Sequence, residues 1–357
     1  MWTRSTRLRW TAAMLAGVSS TASASVELRI DASQAEAVLA LLERRDAEAV
    51  AVESDWDRLF ASESYLRLEK RELSMGRAFP REEFRQFVHS DELAARREVL
   101  AATLAAWRRV DLAAVAARIV PYLPAEARIR ATVYPVIKPK SNSFVFETET
   151  DPAIFLYLDP GQSAESFANT VAHELHHVGL ASLSAAYRER IAVLPANARQ
   201  AAKWLGAFGE GLAVLAAAGS PDVHPMRDFP AADRSRWDQD LNGFDQHLAQ
   251  IDGFLSDVVS GGFARPEVAD RVAFGFFGYR GPWYTVGWRM GALVEKSFGR
   301  AVLLECMADP RQLLVRYNQA AAKANAAAGA VPLPLWSEEL LAALADPGPA
   351  AADRKLH

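Results

Sequence analysis

Residues 163–179 read S-A-E-S-F-A-N-T-V-A-H-E-L-H-H-V-G and contain an H-E-x-x-H motif from His173 to His177. On an α-helix, residues four apart lie one turn above each other on the same face, with Cβ atoms about 5–6 Å apart. His173 and His177 can therefore bind one metal ion, and Glu174 is placed to accept a proton from a metal-bound water. A pair three residues apart, His173 and His176, could also chelate a metal. We favour His177, because only that spacing completes the motif.

The flanking sequence predicts that the motif lies on a half-buried helix. Residues 159–163, D-P-G-Q-S, are typical of a turn that ends in an N-cap serine, Ser163. Apolar residues then recur at helical spacing and define one face: Phe167, Val171, Leu175 and Val178. The histidines fall beside this face, so we expect them to line a cleft.

A third metal ligand is predicted further along the chain. Residues 200–218, Q-A-A-K-W-L-G-A-F-G-E-G-L-A-V-L-A-A-A, are typical of a buried helix whose only acidic residue, Glu210, lies between two glycines. A carboxylate on a buried helix is costly unless it is paired or binds a metal, and catalytic zinc usually takes three protein ligands. We therefore predict that Glu210 is the third ligand. The alternative is a structural ion pair with Lys203 or an arginine.

These residues carry a resemblance to a known class of enzymes. His173-Glu174-x-x-His177, followed on a later helix by Glu210 in G-E-G-L-A, resembles the gluzincin class of zinc metallopeptidases. More narrowly, V-A-H-E-L-H-H and E-G-L-A resemble an uncharacterised bacterial family of zinc-dependent peptidases. The resemblance implies one Zn²⁺ ion per chain, with His173, His177 and Glu210 as its ligands and Glu174 as general base. It also implies a zincin-like fold and a peptide or protein substrate.

The amino-terminal residues are typical of an export signal. Residues 1–24 combine three arginines with a short apolar run, Trp10 to Val18, and end in the small-x-small sequence Ala22-Ser23-Ala24. The apolar run is too short to span a bilayer, so we expect cleavage and a periplasmic or secreted protein without a stable membrane anchor. The alternative is an amino terminus that stays disordered or is retained in the membrane.

Charge and cysteine content exclude other classes of function. The chain has a formal net charge of −4, which becomes −7 when residues 1–24, with three arginines and no acidic residue, are removed. This balance argues against nucleic acid as a partner. The single cysteine, Cys306, excludes an intrachain disulfide, and its apolar surroundings indicate a buried side chain instead of a nucleophile. The oligomeric state is not specified by the sequence.

The hydrophobic periodicity predicts an α+β fold that is mainly helical. Residues 31–127 show the helical period, whereas three short β-branched and aromatic runs lie between residues 128 and 159. We expect a small mixed sheet directly before the motif helix, with 142–148 either an edge strand that pairs with substrate or an ordinary hairpin strand. The predicted organisation is a signal peptide (1–24), a helical amino-terminal subdomain (25–127), a zincin-like catalytic domain (128–345) and a flexible tail (346–357).

The glycine- and aromatic-rich residues 275–291 offer a group that stabilises an oxyanion. Zinc peptidases generally supply a phenol or imidazole donor for this purpose. Tyr284, at the start of a predicted helix, is our candidate, with Tyr279 and Arg280 as alternatives. His224 and His247 could also act near the metal, but we expect them to be unrelated to it.

Together these features predict a zinc-dependent peptidase in which Glu174 is the general base and Tyr284 assists. One alternative is a zinc hydrolase that acts on a non-peptide amide. The other is a non-catalytic binding protein that retains the helix.

Overall fold

A computed structural model describes residues 25–47, 52–278, 280–327, 329 and 331–346 of the chain. The predicted signal peptide (1–24), Tyr279 and all but the first residue of the predicted tail (346–357) lie outside the described residues. Among the residues that are described, no helix is long and apolar enough to cross a membrane.

The predicted small mixed sheet is confirmed. It consists of β1 (Ser25–Ile30), β2 (Arg128–Val136), β3 (Phe144–Phe146) and β4 (Ala153–Tyr157). The strand order is β1-β2-β4-β3, in which β2 pairs parallel with β1 and β4, and β3 pairs antiparallel with β4 at one edge. Strand β1 was not predicted, since the sequence indicated no strand before residue 128.

Both faces of the sheet are covered by helices, which explains why β2 and β4 are buried along most of their length. Ile129 and Val133 point into the large core that includes α-helical residues from both halves of the chain. Tyr134 and Phe155 stack on the opposite face, with ring centroids 5.0 Å apart, and pack there with Leu68. The sheet therefore anchors helices from before and after it in sequence.

Short helices precede β2 in the chain, as the periodicity of residues 31–127 predicts. They are α1 (Ser33–Asp46), α2 (Glu53–Phe60), α3 (Glu63–Ser74), α4 (Arg81–Val88), α5 (Asp91–Ala94), α6 (Arg97–Trp107) and α7 (Leu112–Ile119), followed by a 3₁₀ turn at Val120–Tyr122. Residues from α1, α6 and α7 belong to the same large core as the residues after β4. The division into subdomains at residue 127 stays a prediction.

The helices after the sheet build the candidate site. They are α8 (Ala164–Ala181), α9 (Ser184–Ile191), α10 (Ala196–Trp204), α11 (Gly209–Ala218), α12 (Ala231–Asn242), α13 (Phe244–Ser260), α14 (Pro266–Gly275), α15 (Pro282–Phe298), α16 (Arg300–Ala308), α17 (Pro310–Asn325) and α18 (Glu338–Leu344). A 3₁₀ turn at Leu205–Phe208 separates α10 from α11, so the single helix expected over 200–218 is wrong in this detail. Gly206 and Gly209 lower the helix propensity where the break occurs.

Candidate metal centre

The H-E-x-x-H motif lies in the third and fourth turns of α8, and the sequence explains why this helix forms there. Ser163 caps it by accepting a hydrogen bond from the backbone N–H of Ser166 at 3.2 Å. The predicted apolar face is buried throughout, at Phe167, Val171, Leu175 and Val178. Phe167 stacks on Trp107 of α6 with centroids 4.3 Å apart, so the amino-terminal helices support the back of α8.

His176 belongs to this supporting side of the helix. It is fully buried, and its Nε2 lies 3.1 Å from the backbone carbonyl oxygen of Tyr122. Because a carbonyl only accepts, Nε2 carries the proton. Burial lowers the pKa of His176 to about 3, so the ring is neutral. The structure therefore places His176 away from the other two histidines' Nε2 atoms, in agreement with the preference for His177.

Glu210 reaches the histidines because α11 crosses α8 and starts beside it. The carboxylate belongs to the first turn of α11, which follows directly on the 3₁₀ turn at Leu205–Phe208. Behind it, a Cβ on Gly211 would lie 2.1 Å from the backbone nitrogen of Trp288 in α15. Only glycine permits this backbone contact, which fixes α11 between α8 and α15. Gly209 plays no such part, since its Cβ would meet Leu180 Cδ1 at an ordinary 3.8 Å.

Three donor atoms converge at the contact between α8 and α11. His173 Nε2 and His177 Nε2 lie 3.0 Å apart, and Glu210 Oε2 lies 3.2 Å from the first and 3.0 Å from the second. The three residues form a group that could hold a metal ion. Three lone-pair atoms this close repel each other unless protons or a cation lie between them, and one divalent cation satisfies all three.

The charges of these groups favour a positive charge between them, either a proton or a metal ion. Burial raises the cost of ionising Glu210, but the two histidines outweigh this effect and hold its pKa well below the ordinary value. Burial also lowers the pKa of His177, and the Glu210 carboxylate more than offsets this and raises the pKa to about 9. Glu210 is thus ionised in its contact with both rings. Lys203, the alternative partner, is exposed and forms no ion pair in the part of the chain that the structure describes.

A cleft of about 240 Å³ opens on the His173 side of this group, and we call it the polar cleft. Its walls include Asn169, Thr170, Glu174, Arg280 and Tyr284. Glu174 is half-buried there and is not one of the three converging donors. Its carboxylate is therefore free to face a substrate beside His173, as the motif predicts for a general base.

Tyr284 is placed next to the donor atoms by the first turn of α15. Its ring is nearly parallel to that of His173, with centroids 6.2 Å apart. Burial, together with the Glu210 carboxylate, raises the pKa of Tyr284 above its usual value. The phenol therefore stays protonated at neutral pH and can donate a hydrogen bond.

Arg280 also borders the polar cleft, with its guanidinium 4.6 Å from the ring centroid of Phe229. Its backbone adopts a φ of +55°, a conformation that costs a non-glycine residue energy. Phe229 and Met226, which also line the cleft, had no signal in the sequence as site residues. They lie in the irregular segment between α11 and α12, whose conformation depends on tertiary packing.

The remaining histidine and cysteine candidates lie apart from the three donors. His224 pairs with Asp238 at 3.0 Å, and burial lowers the pKa of His247 on α13. Neither lines the polar cleft. Cys306 is fully buried, and burial raises the pKa of its thiol to about 12, which agrees with the predicted inert side chain.

Comparison with known proteins supports the resemblance seen in the motif. No curated protein and no solved structure matches the chain. A family model does match, over residues 41–326, a range that covers most of the 357 residues and every residue of the candidate site. The chain therefore belongs to the family described as "Putative zinc dependent peptidase (DUF5700)".

Proposed function

We propose that the chain is a metallopeptidase that hydrolyses peptide bonds with one zinc ion held by His173, His177 and Glu210. The observation that carries this proposal is the convergence of three donor atoms, 3.0–3.2 Å apart, beside a cleft lined by Glu174 and Tyr284. The family description supports the same class of reaction.

The donor set fits zinc. Tetrahedral zinc, with bonds of about 2.0–2.1 Å to nitrogen and oxygen, separates neighbouring ligand atoms by about 3.3 Å. The three donor atoms here lie 3.0, 3.0 and 3.2 Å apart, and two imidazoles with one carboxylate are a ligand set of catalytic zinc. A zinc ion bound there supplies Lewis acidity, which polarises a carbonyl and makes a water easier to deprotonate.

Glu174 performs the proton transfers in this proposal. Its carboxylate faces the polar cleft next to His173, where it accepts a proton from the water that attacks the peptide carbonyl. An amine leaves a tetrahedral carbon readily only when its nitrogen is protonated. The same carboxyl group returns the proton to that nitrogen, so one residue serves as base and then as acid.

Tyr284 stabilises the negative charge that develops on the carbonyl oxygen. Its ring lies against that of His173 and its phenol stays protonated, so no proton has to move before it donates a hydrogen bond.

Replacing Tyr284 by Phe is therefore expected to lower kcat by about 10²-fold, with little change in KM and with zinc content unchanged, since one oxyanion donor is lost. Steady-state kinetics on a cleaved peptide measure this. Tyr157→Phe is the matched control, because its hydroxyl contacts Arg96, outside the polar cleft. Equal kcat values for Tyr284→Phe and the parent would remove Tyr284 from the mechanism.

Digestion of a peptide library by the zinc-loaded protein, with mass spectrometry of the products, tests the proposed reaction. We expect new peptide termini that vanish when a chelator removes the zinc and return when zinc is added back. Hydrolysis that survives metal removal would contradict the proposal. If the protein cleaves no peptide but does cleave a cell-wall or small-molecule amide, the result would favour the alternative of a zinc hydrolase that acts on non-peptide amides.

We further propose that the mature protein acts outside the cytoplasm. The support is the composition of residues 1–24, with its basic start, short apolar run and small-x-small ending. Amino-terminal sequencing of the protein recovered from a periplasmic or culture-medium fraction tests this, and a new terminus near Ser25 is the expected result.

A further inference from the structure

A second pocket of about 250 Å³ lies on the His177 side of the donor group, and we call it the apolar pocket. Its walls come from the end of α8, the start of α9, the 3₁₀ turn before α11, the start of α11 and the end of α16. They are mainly aliphatic: Leu180, Leu183, Leu205, Leu212 and Met307. His177, a proposed metal ligand, forms part of the same wall. The three donors thus lie between a polar cleft and an apolar pocket.

The two spaces differ in the chemistry that they offer. Glu174 and Arg280 contribute charges to the polar cleft, whereas no Asp, Glu, Lys or Arg is among the described residues that line the apolar pocket. Tyr187, which also lines it, already donates its hydroxyl to the backbone carbonyl of Ala202 at 2.7 Å. A ligand in this pocket would find few polar partners, and burial of hydrocarbon is the interaction that the walls favour.

Gly206, an exposed residue of the pocket wall, is a position where a side chain can be added without a clash. A Cβ on Gly206 would meet no heavy atom within 4 Å, although the residue belongs to the pocket wall. An apolar cavity of about 150 Å³ can hold a benzene molecule, so this larger space can hold the side chain of leucine, methionine or phenylalanine.

We propose that the apolar pocket binds the side chain of a residue that flanks the scissile bond, and that the enzyme therefore prefers peptides with a large apolar residue at that position. This inference rests on the proposed peptidase function. It follows from position, because His177 belongs both to the donor group and to the pocket wall, so the pocket lies beside a substrate held at the donors. Burial of a leucine-sized side chain favours such peptides over those with a polar side chain there by about 10–100-fold.

Cleavage profiling of a peptide library tests this preference with two glycine variants. The parent is expected to cut next to Leu, Ile, Met or Phe at one of the two positions that flank the cleaved bond. Gly206→Leu, which places a side chain at the pocket wall, is expected to reduce that preference at least tenfold in favour of Gly and Ala. Gly253→Leu is the matched control, because Gly253 on α13 is exposed and its Cβ also meets nothing within 4 Å. Equal profiles for the parent and Gly206→Leu, or no apolar preference in the parent, would overturn the proposal.

A binding measurement separates this proposal from the peptidase function itself. Saturation-transfer NMR detects binding of N-acetyl-leucinamide to the pocket without any hydrolysis. N-acetyl-asparaginamide, which has a polar side chain, serves as the comparison ligand. We expect a leucinamide signal with the parent and Gly253→Leu that is lost with Gly206→Leu. If no peptide is cleaved but this pattern holds, the peptidase function fails while the apolar pocket stands as a binding site. If Leu183→Lys, in the pocket wall, and Gly206→Leu both leave the signal unchanged, the pocket proposal fails.

Discussion

Replacing Glu174 by Gln is expected to lower kcat/KM for peptide hydrolysis by about 10²–10⁴-fold, while the zinc content stays that of the parent. Glutamine has almost the same shape as glutamate but cannot accept the proton of the attacking water. Zinc should remain because the Glu174 carboxylate is not among the three converging donors of His173, His177 and Glu210.

The matched control for this variant lies on the same helix. Glu165 belongs to the first turn of α8 and is exposed, so Glu165→Gln removes the same charge away from the polar cleft and should keep full activity. Parallel measurement of kcat/KM and zinc content separates the possible roles. Full activity of Glu174→Gln would exclude Glu174 as the base. Loss of zinc would show that it helps to hold the metal.

The motif helix could be predicted from sequence because its information is local. Helical period, N-cap and apolar face all lie within residues 163–178, and each is found in the structure. Glu210 could be singled out because a lone acidic residue in a buried apolar helix needs a partner. Glycines such as the two beside Glu210 can permit a close backbone contact with another helix. The structure assigns that contact to Gly211 alone, and a Cβ on Gly287 of α15 would in turn lie 2.6 Å from the carbonyl oxygen of Phe208.

Other features depend on contacts between distant parts of the chain. In β1, Val26, Leu28 and Ile30 alternate with Glu27 and Arg29, which is the period of a strand. The signal is short, and its partner β2 begins at residue 128, so pairing could not be inferred locally. The role of His176 was likewise hidden, because the Tyr122 carbonyl that binds it comes from another helix turn. The apolar pocket combines residues of α8, α9, a 3₁₀ turn, α11 and α16, and no single segment of sequence shows it.

Removal of one proposed ligand is expected to abolish stoichiometric zinc binding. His173, His177 and Glu210 each contribute one of three protein donors, so loss of any one leaves only two. Loss of an outer-shell partner already weakens metal affinity by about 10–100-fold, and loss of a ligand should exceed this. His224→Ala is the matched control, since His224 pairs with Asp238 outside the donor group.

The most direct test of the metal centre is therefore the zinc content of the purified mature protein beside His173→Ala, Glu210→Ala and His224→Ala, measured by atomic spectroscopy, with circular dichroism as a check of folding. We predict one zinc per chain in the parent and in His224→Ala, and none in the folded His173→Ala and Glu210→Ala variants. Zinc retained without Glu210 would contradict the assigned ligand set. A folded parent that binds no zinc even after reconstitution would contradict the metallopeptidase account itself.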